Sequence, residues 1–358
     1  NSTFHAAYHT LHEAADFMSQ LATAFPDNFR VTNLGLSAEG REILGAVVSN
    51  RTDDPDQDRQ KLTVVIVGTQ HAREWIATST ALYLMEALLV DRSLRSLLNL
   101  YDFHIIPIPN PDGYVYTWEH DRFWYKNRQV LGRGIQCVGL DMNRDWGYKW
   151  KPEAKGGAQL GVDDKHDELS EHAGFEASLK KTKTVKKSKK TKPPIDPCSH
   201  WYPGHRPFES PEVNNLANYA QAIQTEVVSF IDLRSFGQMV SSPYSYSCKR
   251  LPKDAEDQLE AALGAAKAIK SVHGAQYTTG TLCETLYRAP GNVLDWMYAR
   301  QGIKYSYSVH LRDTGTARGL QHYAFLIPPE WILPVGEEIS AMISYIASFI
   351  AKQRGLPL

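Results

Sequence analysis

The stretch Leu62-Thr-Val-Val-Ile-Val67 is an unbroken run of β-branched and aliphatic residues. Such a run predicts a strand that is buried on both faces, as in the centre of a parallel sheet. Apolar residues at helical spacing follow from Trp75 to about Asp91 and predict a helix directly after that strand. A buried strand that leads at once into a helix is typical of α/β domains.

The same alternation continues along the chain. Strands are predicted over 103–108, 227–233 and 303–311, and helices from Pro211, over 254–272 and over 334–352. Pro109-Asn-Pro-Asp-Gly113 has the composition of a turn. The alternation predicts an α/β fold with a largely parallel or mixed sheet.

The composition excludes several classes of protein. The 358 residues are 42% hydrophobic and 22% charged, as in an ordinary globular protein. Because 39 basic residues stand against 40 acidic ones, a general electrostatic attraction to nucleic acid is not expected. The longest apolar stretches, 62–67 and 341–351, are shorter than the roughly 20 residues that span a bilayer, so no membrane span is expected.

The segment 151–197 differs from the rest of the chain because it lacks apolar periodicity. An acidic stretch over 163–176 is followed by the lysine-rich run Lys180–Lys192. This composition predicts a charged, disordered insertion within one domain that spans 1–358. The alternative is a basic tag for polyanions or nuclear import.

The cysteines and sequons bear on the cellular compartment. The four cysteines have no Cys-x-x-Cys spacing, so they could form two disulfides or remain as buried thiols. Sequons at Asn1 and Asn50 are candidate glycosylation sites, which favours a secretory history.

The motif His71-Ala-Arg-Glu74 lies between the first predicted strand and its helix. Imidazole and carboxylate groups are both zinc ligands, so the pair could hold one metal ion. On spacing alone, a histidine and a glutamate that face solvent at a helix entry are the favoured alternative. A catalytic zinc site also needs a third ligand, an open position for water, a base and an oxyanion stabiliser.

Further motifs occur in a fixed order along the chain. They are Tyr8-His-Thr-Leu11, Ser37-Ala-Glu-Gly-Arg41, Gly68-Thr-Gln-His-Ala-Arg-Glu-Trp75, Pro109-Asn-Pro-Asp-Gly-Tyr114, Asp141-Met-Asn-Arg-Asp-Trp146, Leu286-Tyr-Arg-Ala-Pro-Gly291, Leu294-Asp-Trp296, Gly302-Ile-Lys-Tyr305 and Leu311-Arg-Asp-Thr-Gly315. Together they closely resemble the funnelin-type zinc metallocarboxypeptidases, the carboxypeptidase A/B family. The resemblance implies a single domain whose mixed, twisted, roughly eight-stranded sheet is flanked by helices, and an N-terminal propeptide that was removed or omitted.

The resemblance assigns roles residue by residue. His71 and Glu74 match two of the family's three zinc ligands. The positions that bind the substrate's C-terminal carboxylate and backbone are matched by Arg73, Asn143 and Arg144. Tyr287 matches the mobile tyrosine that closes over the substrate. Leu294 matches the residue at the bottom of the pocket that selects the terminal side chain. An apolar residue there favours an aliphatic or aromatic terminus. The implied partners are therefore peptide or protein C-termini, bound by a monomer.

Three positions depart from the family pattern. Arg234 stands where the family has its third zinc ligand, a histidine. Tyr125 takes the place of the arginine that stabilises the oxyanion, and His310 that of the glutamate general base. A histidine could still act as a base, since its ordinary pKa is near 6.5.

The arginine is the most serious of these changes because a guanidinium is always charged and has no lone pair for a metal. We therefore expect zinc affinity to be lost and Arg234 to form a salt bridge with Glu74. The alternative is a rearranged zinc site in which His310 joins His71 and Glu74.

The resemblance also pairs the cysteines. Cys137 and Cys198, on either side of the insertion, match one disulfide pair of the family, and Cys248 and Cys283 match a second. Two such disulfides imply an oxidising compartment. The departures are most similar to those of the inactive carboxypeptidase-like proteins of fungi, which are secreted or vacuolar and are linked to cell-wall organisation. The resulting prediction is a pseudoenzyme that binds peptide C-termini. The alternatives are an active zinc carboxypeptidase with a histidine base, and a binding module that works through Lys180–Lys192.

Overall fold

The computed structural model describes residues 3–50, 61–152, 195–223, 225–313 and 323–357. These residues form an eight-stranded mixed sheet in a single domain, as predicted. The strands are β1 (Phe29–Leu36), β2 (Glu42–Val48), β3 (Leu62–Val67), β4 (Tyr101–Ile106), β5 (Glu226–Arg234), β6 (Met239–Ser242), β7 (Thr278–Thr281) and β8 (Tyr305–His310). Their order is β1-β2-β4-β3-β5-β8-β6-β7, with β4, β3, β5 and β8 parallel at the centre.

Helices surround the sheet. The α-helices are α1 (Leu11–Ala24), α2 (Trp75–Val90), α3 (Arg92–Arg95), α4 (Pro111–Glu119), α5 (Pro211–Ala222), α6 (Ala255–His273), α7 (Leu282–Thr285), α8 (Val293–Ala299) and α9 (Ile332–Gln353). Short 3₁₀ helices cover Phe4–Ala6, Ser96–Asn99, Met142–Arg144, Ala324–Leu326 and Pro329–Trp331.

The central strand β3 is buried on both faces, as its sequence predicts. Val64 and Ile66 belong to one hydrophobic cluster, and Val65 and Val67 belong to another. Successive side chains of a strand point to opposite faces, so each face of the sheet is covered by its own apolar layer. This double burial explains why the strand shows no polar alternation.

The prediction for residues 103–113 was wrong in detail. Strand β4 ends at Ile106, and the predicted turn at Pro109–Gly113 instead opens helix α4. The Asn110 Oδ1 atom accepts a hydrogen bond from the Gly113 amide at 3.0 Å, and Pro111 takes the first helical position. Asn, Pro and Asp favour both turns and helix N-termini, so composition alone did not separate the two.

The C-terminal helix α9 packs against α2 and α6. The helical segment Pro329–Gln353 is long and apolar enough to cross a membrane by length and composition. However, 61% of its most apolar window is buried inside the protein. Such burial is typical of a helix in the core of a domain.

Both predicted disulfides are confirmed, Cys137–Cys198 and Cys248–Cys283. The segment 153–194, which holds Lys180–Lys192, lies outside the described residues, as does Asn1. Asn50 is exposed just beyond β2, which is compatible with a glycan, and its glycosylation stays a prediction.

Candidate functional site

The candidate site lies at the carboxyl ends of β3, β5 and β8. Strand β5 ends at Arg234 and β8 ends at His310, and these two residues are paired in register. The loop after β3 carries His71 and Glu74 to the same place. Ligands of open α/β sheets typically bind at this edge.

Two glycines permit the loop geometry of the site. A Cβ atom on Gly68 would lie 2.2 Å from the Pro107 carbonyl oxygen, so the loop after β3 can pass the loop after β4 only with glycine. Gly291, with a positive φ of 78°, approaches the other wall, where a Cβ atom would lie 2.3 Å from the Arg144 carbonyl oxygen. That wall is the 3₁₀ helix Met142–Arg144.

Arg234 and Glu74 form the predicted salt bridge. The Arg234 Nε and Nη2 atoms donate to the two carboxylate oxygens of Glu74 at 3.0 and 3.2 Å. Both side chains are about 4% exposed. Burial alone would raise the pKa of Glu74, but the Arg234 charge lowers it to about 2. Glu74 is therefore a carboxylate at neutral pH, neutralised by the guanidinium.

The ring of His71 is engaged at both nitrogens. Its Nε2 atom lies 2.7 Å from Asp141 Oδ1, and its Nδ1 atom contacts Arg234 Nη2. Since the guanidinium can only donate, Nδ1 is the acceptor and Nε2–H donates to Asp141. A metal-binding histidine usually donates its second ring N–H to a carboxylate in this manner. Here a guanidinium nitrogen meets the lone pair that a metal would need.

The residues present do not fit a zinc ion. Arg234 occupies the lone pair of His71 Nδ1 and both oxygens of Glu74, and it has no lone pair to give. A rearranged site with His310 is not assembled either. Within the described part of the chain, the only three metal-ligating side chains whose ligand atoms lie within 4.8 Å of one another are Cys137, Asp196 and Cys198. The two cysteines of that group form a disulfide.

Asp232 is a second anion beside Arg234 and was not among the predicted site residues. The residue is fully buried, accepts a hydrogen bond from Gln70 Nε2 at 2.7 Å, and lies 3.4 Å from Arg234 Nη1. Burial raises its pKa to about 6, against the opposing effect of Arg234. A signal existed, because Asp232 is an acid within the apolar part of β5 and lies two residues before Arg234, on the same face.

Unlike Arg234, the other two departures, Tyr125 and His310, carry no charge at neutral pH. The Tyr125 ring lies 3.6 Å from that of His71, centroid to centroid, and burial raises its pKa well above the ordinary value. Burial and the nearby Arg234 lower the pKa of His310 to about 3, so its imidazole is neutral. A group with so low a pKa is a weak general base at neutral pH.

A small cavity of about 40 Å³ lies between these groups. It is lined by His71, Tyr125, Asp141, Asn143, Arg144, Arg234, Leu282, Leu286, Tyr287, Ala289, Asn292, Ser308 and His310. The structure thus brings Asn143, Arg144 and Tyr287 together, as predicted. The three positions that depart from the family pattern line the same cavity.

Two predicted substrate residues do not line this cavity. The Arg73 guanidinium lies against the rings of Phe325 and Tyr125, at 4.0 and 5.0 Å from their centroids. Leu294 is fully buried and is not part of the cavity wall. The position of Leu294 therefore gives no support to the predicted preference for an apolar terminus, because other side chains face the cavity.

Trp201 forms an aromatic wall that the sequence analysis did not foresee. Its ring lies edge-on to Tyr287, with 5.4 Å between the centroids, and Arg144 Cζ lies 4.8 Å from the Trp201 centroid. The Cys137–Cys198 disulfide joins this segment to the chain just before the 3₁₀ helix Met142–Arg144, and the Asp141 amide donates to the Tyr202 carbonyl at 2.7 Å. Because Trp201 belongs to no motif and follows the charged segment, no sequence signal pointed to it.

Known proteins resemble the chain over nearly its whole length. A family model described as zinc carboxypeptidase matches residues 14–341. The inactive metallocarboxypeptidase ecm14 of Talaromyces stipitatus is 32% identical over 366 residues, which cover 96% of this chain and 54% of that protein. A metallocarboxypeptidase A-like protein of Trichophyton verrucosum is 34% identical over 352 residues, or 97% of this chain and 71% of that one. The chain spans about half the length of the inactive relatives that it matches.

The fold also matches a solved structure. Bovine thrombin-activatable fibrinolysis inhibitor, solved in complex with tick carboxypeptidase inhibitor, aligns with a TM-score of 0.78 at 29% identity. The alignment covers 98% of this chain and 99% of that one.

Proposed function

Because the chain belongs to the zinc carboxypeptidase family, we propose that it is a pseudoenzyme that binds the C-termini of peptides without cleaving them. The observation that supports binding of C-termini is the buried, incompletely hydrogen-bonded guanidinium of Arg144. This side chain is only 3% exposed and lines the cavity, and its Nη1 atom has no hydrogen-bond partner among the described residues. A buried cation with an unused donor is suited to a carboxylate.

The neighbours of Arg144 favour this use. Its Nε atom lies 3.2 Å from Asp141 Oδ2, which holds the guanidinium in place. Trp201 and Tyr287 pack against the guanidinium and restrict water around it. An anion bound in such surroundings is attracted more strongly than it would be in bulk water.

Loss of hydrolysis follows from the same site. Arg234 takes the atoms that would hold zinc, Tyr125 is an uncharged phenol, and His310 is a weakly basic imidazole. The relatives named inactive metallocarboxypeptidase support this half of the proposal.

Calorimetric titration with a short N-acetylated peptide tests the binding. We expect the free acid to bind, its C-terminal amide to bind far more weakly, and Arg144→Ala to abolish the difference. The matched control is Arg92→Ala, an exposed arginine on α3. Equal binding of acid and amide to the wild type would remove the proposal. Metal-dependent release of the terminal residue would instead favour an active carboxypeptidase.

The proposal includes a compartment and a role. Two disulfides are typical of proteins that fold in an oxidising compartment, so we place the protein in the secretory pathway, secreted or vacuolar, as a monomer. We extend to it the cell-wall role of the fungal proteins that it resembles. Unchanged growth of a deletion strain under cell-wall stress would count against that role.

A further inference from the structure

His310 has an unused buried donor or acceptor that faces the same cavity as Arg144. Its Nδ1 atom is buried and has no hydrogen-bond partner among the described residues. Arg144 Nη1 is in the same condition, and both side chains line the 40 Å³ cavity. Buried polar groups are nearly always paired with protein, water or ligand, so these two nitrogens are available to a polar ligand group that enters the cavity.

The size and charge of the cavity define that ligand group. About 40 Å³ exceeds the roughly 10–15 Å³ that one buried water needs, so the cavity admits a small polar group such as a carboxylate. Arg144 supplies a positive charge, and the nearby acids are already paired. Asp141 contacts His71 and Arg144, and Glu74 contacts Arg234.

We propose that His310 is a carboxylate-binding residue: the terminal carboxylate of the ligand lies between Arg144 Nη1 and a donating His310 Nδ1–H. This inference rests on the proposed function and adds a second donor to it. The position that the resemblance assigns to a general base then serves recognition. A glutamate there would repel the carboxylate, whereas a neutral imidazole donates to it.

His310 and Arg234 line the cavity from the paired ends of β8 and β5. A histidine ring carries at least one N–H in either protonation state, so it can donate to an anion. The ring therefore keeps one N–H, and the anion selects the tautomer that carries it on Nδ1.

The test is calorimetric titration of the peptide acid and its amide with the wild type, His310→Ala, His310→Asn and Arg144→Ala. Since a hydrogen bond to a charged group is stronger than one between neutral groups, we expect His310→Ala to weaken binding of the acid by about tenfold or more. His310→Asn, whose amide N–H can take the place of Nδ1–H, should retain most of the affinity. Binding of the amide should not respond to His310.

The outcomes separate the two proposals. If Arg144→Ala loses the acid peptide while His310→Ala binds it as the wild type does, His310 is not a carboxylate ligand and the proposed function stands. If the wild type does not bind the acid, both proposals fail. A shift of the His310 Nδ1 resonance in ¹⁵N NMR on addition of the acid, and not of the amide, supports the direct contact independently.

Discussion

Arg234 donates to both oxygens of the Glu74 carboxylate at 3.0 and 3.2 Å, at the end of the strand that faces the His71 loop. The two residues are 160 positions apart in the chain, and both are almost fully buried. A tethered monovalent cation thus stands where the family holds a divalent ion. The guanidinium therefore occupies the ligand atoms that a zinc ion would need, the lone pair of His71 Nδ1 and both oxygens of Glu74.

The first prediction concerns the stability that this pair provides. Glu74→Gln leaves the Arg234 charge buried with an incomplete set of partners, so we expect the free energy of unfolding to fall by about 3–5 kcal/mol. Glu74→Gln combined with Arg234→Met removes both charges and should recover most of that loss. Urea unfolding measures both variants, with the exposed Glu119→Gln as control. A Glu74→Gln variant as stable as that control would contradict the prediction.

The second prediction concerns the restoration of hydrolysis. Arg234→His alone should stay inactive, because Tyr125 and His310 still occupy the oxyanion and base positions. Adding Tyr125→Arg should raise the rate by about 10²–10³ and His310→Glu by about 10²–10⁴, the usual effects of an oxyanion donor and a general base. Release of a terminal residue from a peptide series is the assay. Release of a terminal residue by the wild-type protein would contradict this prediction.

The third prediction concerns the terminal residue of the bound peptide. Since Leu294 is buried and does not line the cavity, peptides that end in Gly or Ala should bind at least as tightly as those that end in Phe or Leu. Competition among four peptides that differ only at the last residue measures the order. The reverse order would restore the apolar pocket that the sequence alone predicts.

The fourth prediction concerns acid. Burial, with the nearby Arg30, lowers the pKa of His104 from 6.5 to about 4 in the folded protein. Between those values the unfolded chain binds a proton that the folded chain does not, so stability is lost as the pH falls from about 6.5 to about 4. We expect His104→Gln to remove about 2–3 kcal/mol of the loss in the free energy of unfolding across this pH window. The exposed His12→Gln should leave that pH dependence unchanged.

The sequence predicts the frame of the molecule better than the interior of its site. The run at 62–67 identifies the central strand because a strand buried on both faces has a distinctive composition. The Arg234–Glu74 bridge is predictable because the family resemblance places both residues at one metal site, where a buried guanidinium needs a carboxylate partner. Motif order identifies the disulfide partners in the same manner, by resemblance.

Other features depend on packing that no motif encodes. Trp201 lies beside Tyr287 in a segment that the Cys137–Cys198 disulfide holds against an earlier part of the chain. The burial of Leu294 away from the cavity depends on side-chain directions at the start of α8. The volume of the cavity depends on the directions of many side chains, so it can be read only from the three-dimensional arrangement.

The measurement that tests the central claim most directly is zinc content by elemental analysis, after dialysis against excess zinc and then against buffer, for the wild type and Arg234→His. Circular dichroism verifies that both proteins are folded. We predict essentially no zinc in the wild type and close to one zinc per chain in Arg234→His, because histidine supplies the ligand that arginine lacks. Near-stoichiometric zinc in the wild type would contradict the claim that Arg234 has replaced the metal.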